Sequence, residues 1–207
     1  MISRQALQRT VQRKVAKSYP PAPTSPQIDI PDNWRHLYGE LEKPEFLLIN
    51  ETFIDPKTNI RHSIIVFGLR SLFMKLCESL QWYMDGTFNA CPEPFSQLFT
   101  IHYFFDENRL IPALYCLLTG KPEFVYKKLF MFIRNLAMNL GFSIKCKDFM
   151  SDFELAIRNA VLSVWPTWIG HGCYFHFTQA LFHKMTELGL KVLFLLILIR
   201  IAYKIIL

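Results

Sequence analysis

From residue 45 onwards, the chain begins with apolar runs of strand length and later alternates helical with strand-like segments, and this order restricts the folds open to it. Strands are predicted at 46–53, 63–67, 82–84, 95–105, 110–119, 144–150 and 168–174. Helices are predicted at 69–80, 123–141 and 153–164, with a further one from residue 176. Such an order is typical of an α/β fold, in which helices flank a mixed sheet.

The longest predicted helix is Glu123–Gly141. Its apolar residues recur at helical spacing, and Gly141 suits the position that follows a helix C-terminus. The predicted inward-facing residues are Val125, Leu129, Phe132, Ile133, Leu136 and Leu140.

The charge of the chain is unevenly distributed. Hydrophobic residues make up 51% of the sequence, which supplies a core and excludes a disordered chain. The net charge is +6, but residues 1–17 carry five of the 23 basic residues and no acidic one. The rest of the chain contains the other 18 basic residues and all 17 acidic ones, so its net charge is only +1. Overall charge therefore gives little indication of nucleic-acid binding by the body.

The N-terminal segment 1–31 is predicted to be a basic helix followed by a proline-rich linker. We expect it to pack little against the body, because five prolines and an all-basic arm offer few apolar contacts. Two interpretations of the basic part are open: it is a helix exposed to solvent, or an arm that contacts DNA. Residues 32–80 are predicted to form an N-terminal extension of strands and a helix.

The cysteines indicate a reducing compartment. They are odd in number and scattered, with no C-x-x-C pair, and no secretory signal follows Met1. We expect reduced thiols in the nucleus or cytoplasm. The five positions are Cys77, Cys91, Cys116, Cys146 and Cys173.

Two aspartates, Asp85 and Asp152, each stand at the end of a predicted strand. Side chains at such positions leave the sheet and can converge at one edge. Mg²⁺ prefers oxygen ligands, and paired cations clamp the attacking and leaving oxygens of an in-line displacement. Two other interpretations are open: Asp85 followed by Gly86 is a turn dipeptide, and an aspartate before a helix is usually a cap.

Four sequence blocks resemble the transposase domain of Mutator-like elements (MULE), in the same order and at similar spacings. The resemblance covers about Trp82–Met185, roughly half of the chain. The blocks are Trp82–Phe88 with Pro94–His102, Ile111–Tyr115 with Lys121–Tyr126, Ser151–Ala156, and Gly172–Gln179.

This resemblance implies an RNase H-like fold, which has the predicted order of elements. It also implies that Asp85 and Asp152 are the first two members of an Asp-Asp-Glu triad that binds Mg²⁺ or Mn²⁺. The expected activity is metal-dependent cleavage and transfer of DNA strands by a cut-and-paste transposase. The implied partner is DNA, both as transposon ends and as target. Assembly into a homo-oligomer is left open, and the expected location is the nucleus.

Cys173 and His176 form a C-x-x-H pair that belongs to the family signature, in a role that the resemblance does not specify. Zinc would require two more ligands, and no partner pair at zinc-ligand spacing follows. We favour a buried thiol beside a locally hydrogen-bonded histidine.

The family pattern is expected to be incomplete at the C-terminus. No third catalytic glutamate follows His176 in a family-like context, since Glu187 is the only later acidic residue. The predicted core therefore ends near 187, and residues 188–207 form an apolar tail unlike the family. A membrane anchor is disfavoured because Arg200 and Lys204 interrupt the tail. We expect a fragment that does not transpose DNA; the alternative is a non-catalytic DNA- or protein-binding relic of a transposable element.

Overall fold

The computed structural model describes residues 13, 25, 27–37, 44–87, 91–190, 192 and 196. The expectations for the basic helix, most of the linker and most of the apolar tail lie outside these residues. Within the described part, a 3-10 helix at Asp32–Trp34 precedes seven strands and four helices. In chain order they are β1 (Leu47–Ile54), β2 (Arg61–Phe67), α1 (Arg70–Glu78), β3 (Gln81–Thr87), β4 (Gln97–Asp106), β5 (Arg109–Leu118), α2 (Glu123–Asn139), β6 (Asp148–Ser151), α3 (Leu155–Val164), β7 (Ile169–Gly172) and α4 (Tyr174–Glu187).

The strands form one sheet in the order β1-β2-β5-β4-β3-β6-β7. The pairs β1–β2, β2–β5, β5–β4 and β4–β3 are antiparallel. The pairs β3–β6 and β6–β7 are parallel. Each of the two parallel pairs is joined through a helix, as parallel strands require. The predicted α/β fold with a mixed sheet is confirmed.

The main core lies between one face of the sheet and the helices. Along β4, the side chains of Gln97, Phe99, Ile101 and Tyr103 are buried, and those between them are partly or fully exposed. This alternation is the strand period of two, with one face turned inward. The helix α2 covers this face, and the ring of Phe99 lies 6.3 Å from that of Phe130.

The inward face of α2 is rotated from the predicted one. Its buried residues are Val125, Tyr126, Leu129, Phe130, Ile133 and Ala137. Phe132, Leu136 and Leu140, which we predicted to face inward with them, are only partly buried. Because α2 carries apolar side chains on several of its sides, its sequence is compatible with more than one inward face. Packing against β4 determines which face is buried.

Three tryptophans anchor the start of β3. Trp165 and Trp168 stack at 4.2 Å with an interplanar angle of 4°. Trp82 meets them edge-on at 5.6 and 5.1 Å, and its indole N–H donates to the carbonyl oxygen of Leu76 (2.9 Å). Edge-to-face and stacked pairs add to the area that aromatic rings bury. The cluster fixes β3 relative to α3 and β7.

The other face of the sheet is partly covered by the end of the N-terminal segment. Ile30 is buried in a small cluster with Ile65 and Phe95. The side-chain amide of Asn50 donates to the carbonyl oxygen of Ile28 (2.9 Å). The expectation that residues 1–31 pack little is therefore wrong for 27–31. Ile28 and Ile30 are two residues apart, and both pack in the cluster that contains Ile65 of β2.

The strands β6 and β7 are shorter than predicted, whereas β3, predicted at 82–84, is longer. The segment before β6 is extended, but the backbone N–H groups of Lys145 and Lys147 bond to the carbonyl oxygens of Cys77 and Leu80, so only Asp148–Ser151 enters the sheet. The final strand ends at Gly172, and α4 begins two residues earlier than predicted.

The helix α4 differs from the others because none of its residues is buried. Among the described residues, no helix has both the length and the apolar character that crossing a bilayer requires.

Candidate active site at the ends of β3 and β6

Asp85 and Asp152 lie at the same edge of two neighbouring strands. In the parallel β3–β6 pair, Tyr83 stands opposite Met150. Asp85 is two residues beyond Tyr83, and Asp152 is two residues beyond Met150, directly after β6 ends. The side chain of Asp85 is half exposed, and Asp152 is partly buried. The two predicted site residues thus belong to neighbouring strands. Asp152 follows the end of β6 as predicted, whereas Asp85 lies within β3, which continues to Thr87, so its predicted place at a strand end is wrong.

The carboxylate of Asp85 lines a cleft of about 350 Å³ beneath the start of α4. His176 faces it, with Nε2 3.9 Å from Asp85 Oδ1. The Nδ1 atom of His176 is buried and has no hydrogen-bond partner among the described residues. Burial lowers the pKa of His102, another residue of this cleft, although the backbone of Tyr83 and the charge of Asp85 act in the opposite direction.

The C-x-x-H pair belongs to this same cleft. The backbone N–H of Cys173 donates to the carbonyl oxygen of Ser151 (2.7 Å), which fixes the start of α4 beside the end of β6. Cys173 caps the helix, and His176 follows three residues later on the same side. Cys173 is partly exposed, so the expectation of a buried thiol is wrong, and all five cysteines are free.

Asp152 does not line the cleft of Asp85 and has a different environment. Its Oδ1 accepts a hydrogen bond from the backbone N–H of Glu154 (3.1 Å), just before α3 begins. Asp152 and Glu154 line a small cleft of about 100 Å³ together with Arg158 and His171. Desolvation raises the pKa of Glu154, and the charge of Asp152 raises it further, whereas Tyr126 and Lys121 lower it. Asp152 thus binds the backbone of Glu154, the residue at the N-cap position, and does not itself cap α3.

The donor set fits a hard divalent cation better than zinc. His171, which could have supplied a zinc ligand, lies with Nε2 3.1 Å from Asp148 Oδ1. In the described part of the chain, no group of three or more His, Cys, Asp or Glu side chains is arranged to hold a metal ion. Mg²⁺ is commonly bound by one or two carboxylates, with water and phosphate oxygens in its other positions. The carboxylates of Asp85 and Asp152 are ligands of this chemical type, and each lines a different cleft.

Two residues near the site escaped the sequence-based prediction. The hydroxyl oxygen of Tyr126 lies 2.8 Å from Gln97 Oε1 and 3.3 Å from Glu154 Oε2. Gln97 is fully buried. The sequence could have indicated this residue, because Gln97 lies two positions before Phe99 and therefore on the same inward face of β4. A polar residue at an inward position of an apolar strand indicates a buried hydrogen-bonding group.

Comparison with protein families identifies residues 81–180 as a transposase domain. The family model that matches these residues is that of the MULE transposase domain. The match begins with β3, ends within α4 and includes all four blocks on which the resemblance was based, so the resemblance is confirmed. No curated protein and no solved structure matches the chain.

Proposed function

We propose that the MULE domain retains the DNA-cutting site of a cut-and-paste transposase, in which Asp85 and Asp152 hold Mg²⁺ or Mn²⁺ against a DNA phosphate. One observation carries the proposal: β3 and β6 are parallel neighbours in register, so the two aspartates share one sheet edge. An RNase H-like fold is part of the proposal. It is supported by the strand order β5-β4-β3-β6-β7, with three antiparallel strands and then two parallel ones.

The chain's own side chains would prepare this edge for a polyanion. Asp85 presents a half-exposed carboxylate, and His176 lies beside it at 3.9 Å. Asp152 is oriented by its hydrogen bond from the backbone of Glu154. A bound cation would neutralise phosphate charge and polarise the attacking oxygen. DNA is accordingly the proposed partner, and the nucleus the proposed location.

We further propose that these residues bind a cation without completing transposition. Two carboxylates can anchor one ion, because water and phosphate oxygens fill its remaining octahedral positions. Within the described residues, a second ion, which in-line strand transfer by paired metals needs, would find only Glu154 as a further carboxylate in the clefts of Asp85 and Asp152. Glu154 Oε2 already lies 3.3 Å from the hydroxyl of Tyr126.

Mn²⁺ binding tests the site. The purified protein is titrated with Mn²⁺, and free ion is measured by electron paramagnetic resonance. Asp85→Asn and Asp152→Asn are each expected to weaken binding about tenfold, equivalent to about 1.4 kcal/mol. Asp148→Asn is the matched control, because Asp148 also lies on β6 but faces His171. Equal affinity in all four proteins would refute the proposal.

Incubation with duplex DNA and Mn²⁺ tests the proposed incompleteness. No joined strands are expected from the wild-type protein. Joined product that Asp85→Asn abolishes would show that a third ligand completes the site.

The second candidate function is a non-catalytic relic that binds DNA or protein. The helix α4 favours it, because its exposed side chains include Tyr174, Phe175 and Phe177. DNA binding in the presence of a chelator, equal in wild type and Asp85→Asn and without detectable Mn²⁺ affinity, would support the relic over the enzyme-derived site.

A further inference from the structure

Gln97 connects the candidate site to the core through a close contact with Gly86, the residue after Asp85. A Cβ atom added to Gly86 would lie 2.6 Å from Gln97 Nε2. The absence of a side chain at Gly86 therefore lets the buried amide sit directly against the backbone at the end of β3. Moving Gln97 would move that backbone, because the buried amide is packed directly against the partly exposed Gly86.

The hydroxyl of Tyr126 joins Gln97 to the start of α3. It lies 2.8 Å from the amide of Gln97 and 3.3 Å from Glu154 Oε2. A hydroxyl has one proton, so it cannot donate to both oxygens. The Nε2 atom of Gln97 is buried and has no acceptor within the described residues. Both difficulties have the same origin, namely the direction of the amide.

Exchanging the oxygen and nitrogen of the Gln97 amide resolves both difficulties. The direction of a side-chain amide is the one that best satisfies its hydrogen-bond network. In the exchanged direction, Nε2 donates to Tyr126 Oη, and the hydroxyl proton is directed to the carboxylate of Glu154. An amide oxygen then faces Gly86, where a buried acceptor without a donor is better tolerated than an unpaired N–H.

We propose that Gln97 and Tyr126 are positioning residues, which fix the end of β3 relative to the start of α3 and thereby set the separation of Asp85 and Asp152. The connection runs from Gly86 through Gln97 and Tyr126 to Glu154, whose backbone N–H binds Asp152. The role in cation binding rests on the proposed function, whereas the mechanical connection between the two strand ends does not.

Removing the hydroxyl of Tyr126 tests this role. Tyr126→Phe is expected to weaken Mn²⁺ binding about threefold to tenfold, because a small displacement of positioned groups has a large effect on their action. Tyr103→Phe is the matched control. It removes the hydroxyl of another buried tyrosine, whose Oη has no partner in the part of the chain that the structure describes. It is expected to leave Mn²⁺ affinity unchanged.

A double mutant separates positioning from general destabilisation. Gln97→Met keeps the length of the side chain but removes the amide, and it should weaken Mn²⁺ binding as Tyr126→Phe does. Combining the two should weaken binding no more than the stronger single change, because residues in one network are coupled. Additive losses, or unchanged affinity in either single variant with melting temperatures near wild type, would overturn the proposal.

Amide NMR of the metal-free protein provides a readout that does not need the cation. In Tyr126→Phe and in Gln97→Met, the backbone N–H resonances of both Gly86 and Glu154 should shift, whereas Tyr103→Phe should move neither. If wild type failed to bind Mn²⁺, the proposed function would fall, and these shifts would still decide the positioning role. A resonance of Gly86 that does not move in Tyr126→Phe would contradict it.

Discussion

The helices α2 and α4 look alike in sequence but have opposite environments. Both have no side-chain hydrogen bond at the N-cap, and both carry aromatic and leucine residues at helical spacing. Six residues of α2 are buried against the sheet, and none of α4 is. Periodicity thus predicts a helix and its apolar face, whereas burial of that face depends on which strands lie beneath it.

Phe130→Ala in α2 should have the largest effect on stability. Its ring is fully buried and meets those of Phe99 and Trp165 edge-on. The expected loss in free energy of unfolding is about 3–5 kcal/mol, the usual range for a buried phenylalanine cut to alanine. Denaturant unfolding measures it, with the exposed Met138→Ala as the control in the same helix. A loss as small as that of the control would show that α2 is not packed as described.

Glu123→Ala should have an intermediate effect. Glu123 lies in the first turn of α2 and accepts a hydrogen bond from Asn159 Nδ2 of α3 (2.9 Å). Loss of this bond and of a negative charge at the helix N-terminus should cost about 0.5–1.5 kcal/mol.

The matched control for Glu123 is Glu187→Ala in α4. Within the part of the chain that the structure describes, Glu187 pairs with Lys184 Nζ of its own helix at 2.9 Å, and both side chains are largely exposed. Such pairs contribute roughly 0–1 kcal/mol. Equal losses for the two glutamates would mean that the bridge between α2 and α3 adds nothing.

Leu181→Ser in α4 should have the smallest effect, within about 0.5 kcal/mol, as for an exposed surface position. Leu181 is about half exposed. Unfolding measured at two protein concentrations checks the value. A loss comparable to that of Phe130→Ala would mean that the exposed face of α4 is covered in solution.

Sequence reasoning predicted most elements because their periods were clear. The strands predicted at 95–105 and 110–119 are Gln97–Asp106 and Arg109–Leu118 in the structure. It misjudged the strand before Asp152, because the backbone N–H groups of Lys145 and Lys147 bond to Cys77 in the last turn of α1 and to Leu80 just before β3, instead of to a strand. Long-range pairings of this kind leave no periodic trace in a sequence.

The candidate site was predictable in part. Asp85 and Asp152 were expected at strand ends on one edge of the sheet. Asp152 directly follows β6, whereas Asp85 lies within β3, two residues before that strand ends. Their catalytic and metal-binding roles stay predictions. The cleft that His176 shares with Asp85 depends on where α4 turns back over the sheet, and no local pattern encodes that angle.

The tryptophan cluster gives the molecule a built-in optical probe. Three of its four tryptophans touch one another, and the fourth, Trp34, is partly exposed. Rings stacked at 4.2 Å share their electronic excitation, so the pair Trp165–Trp168 should produce a coupled band in circular dichroism. Trp82 packs edge-on against both of these rings and stands three residues before Asp85. A loss of the band would therefore report, without any label, that the packing that supports the candidate site has been lost.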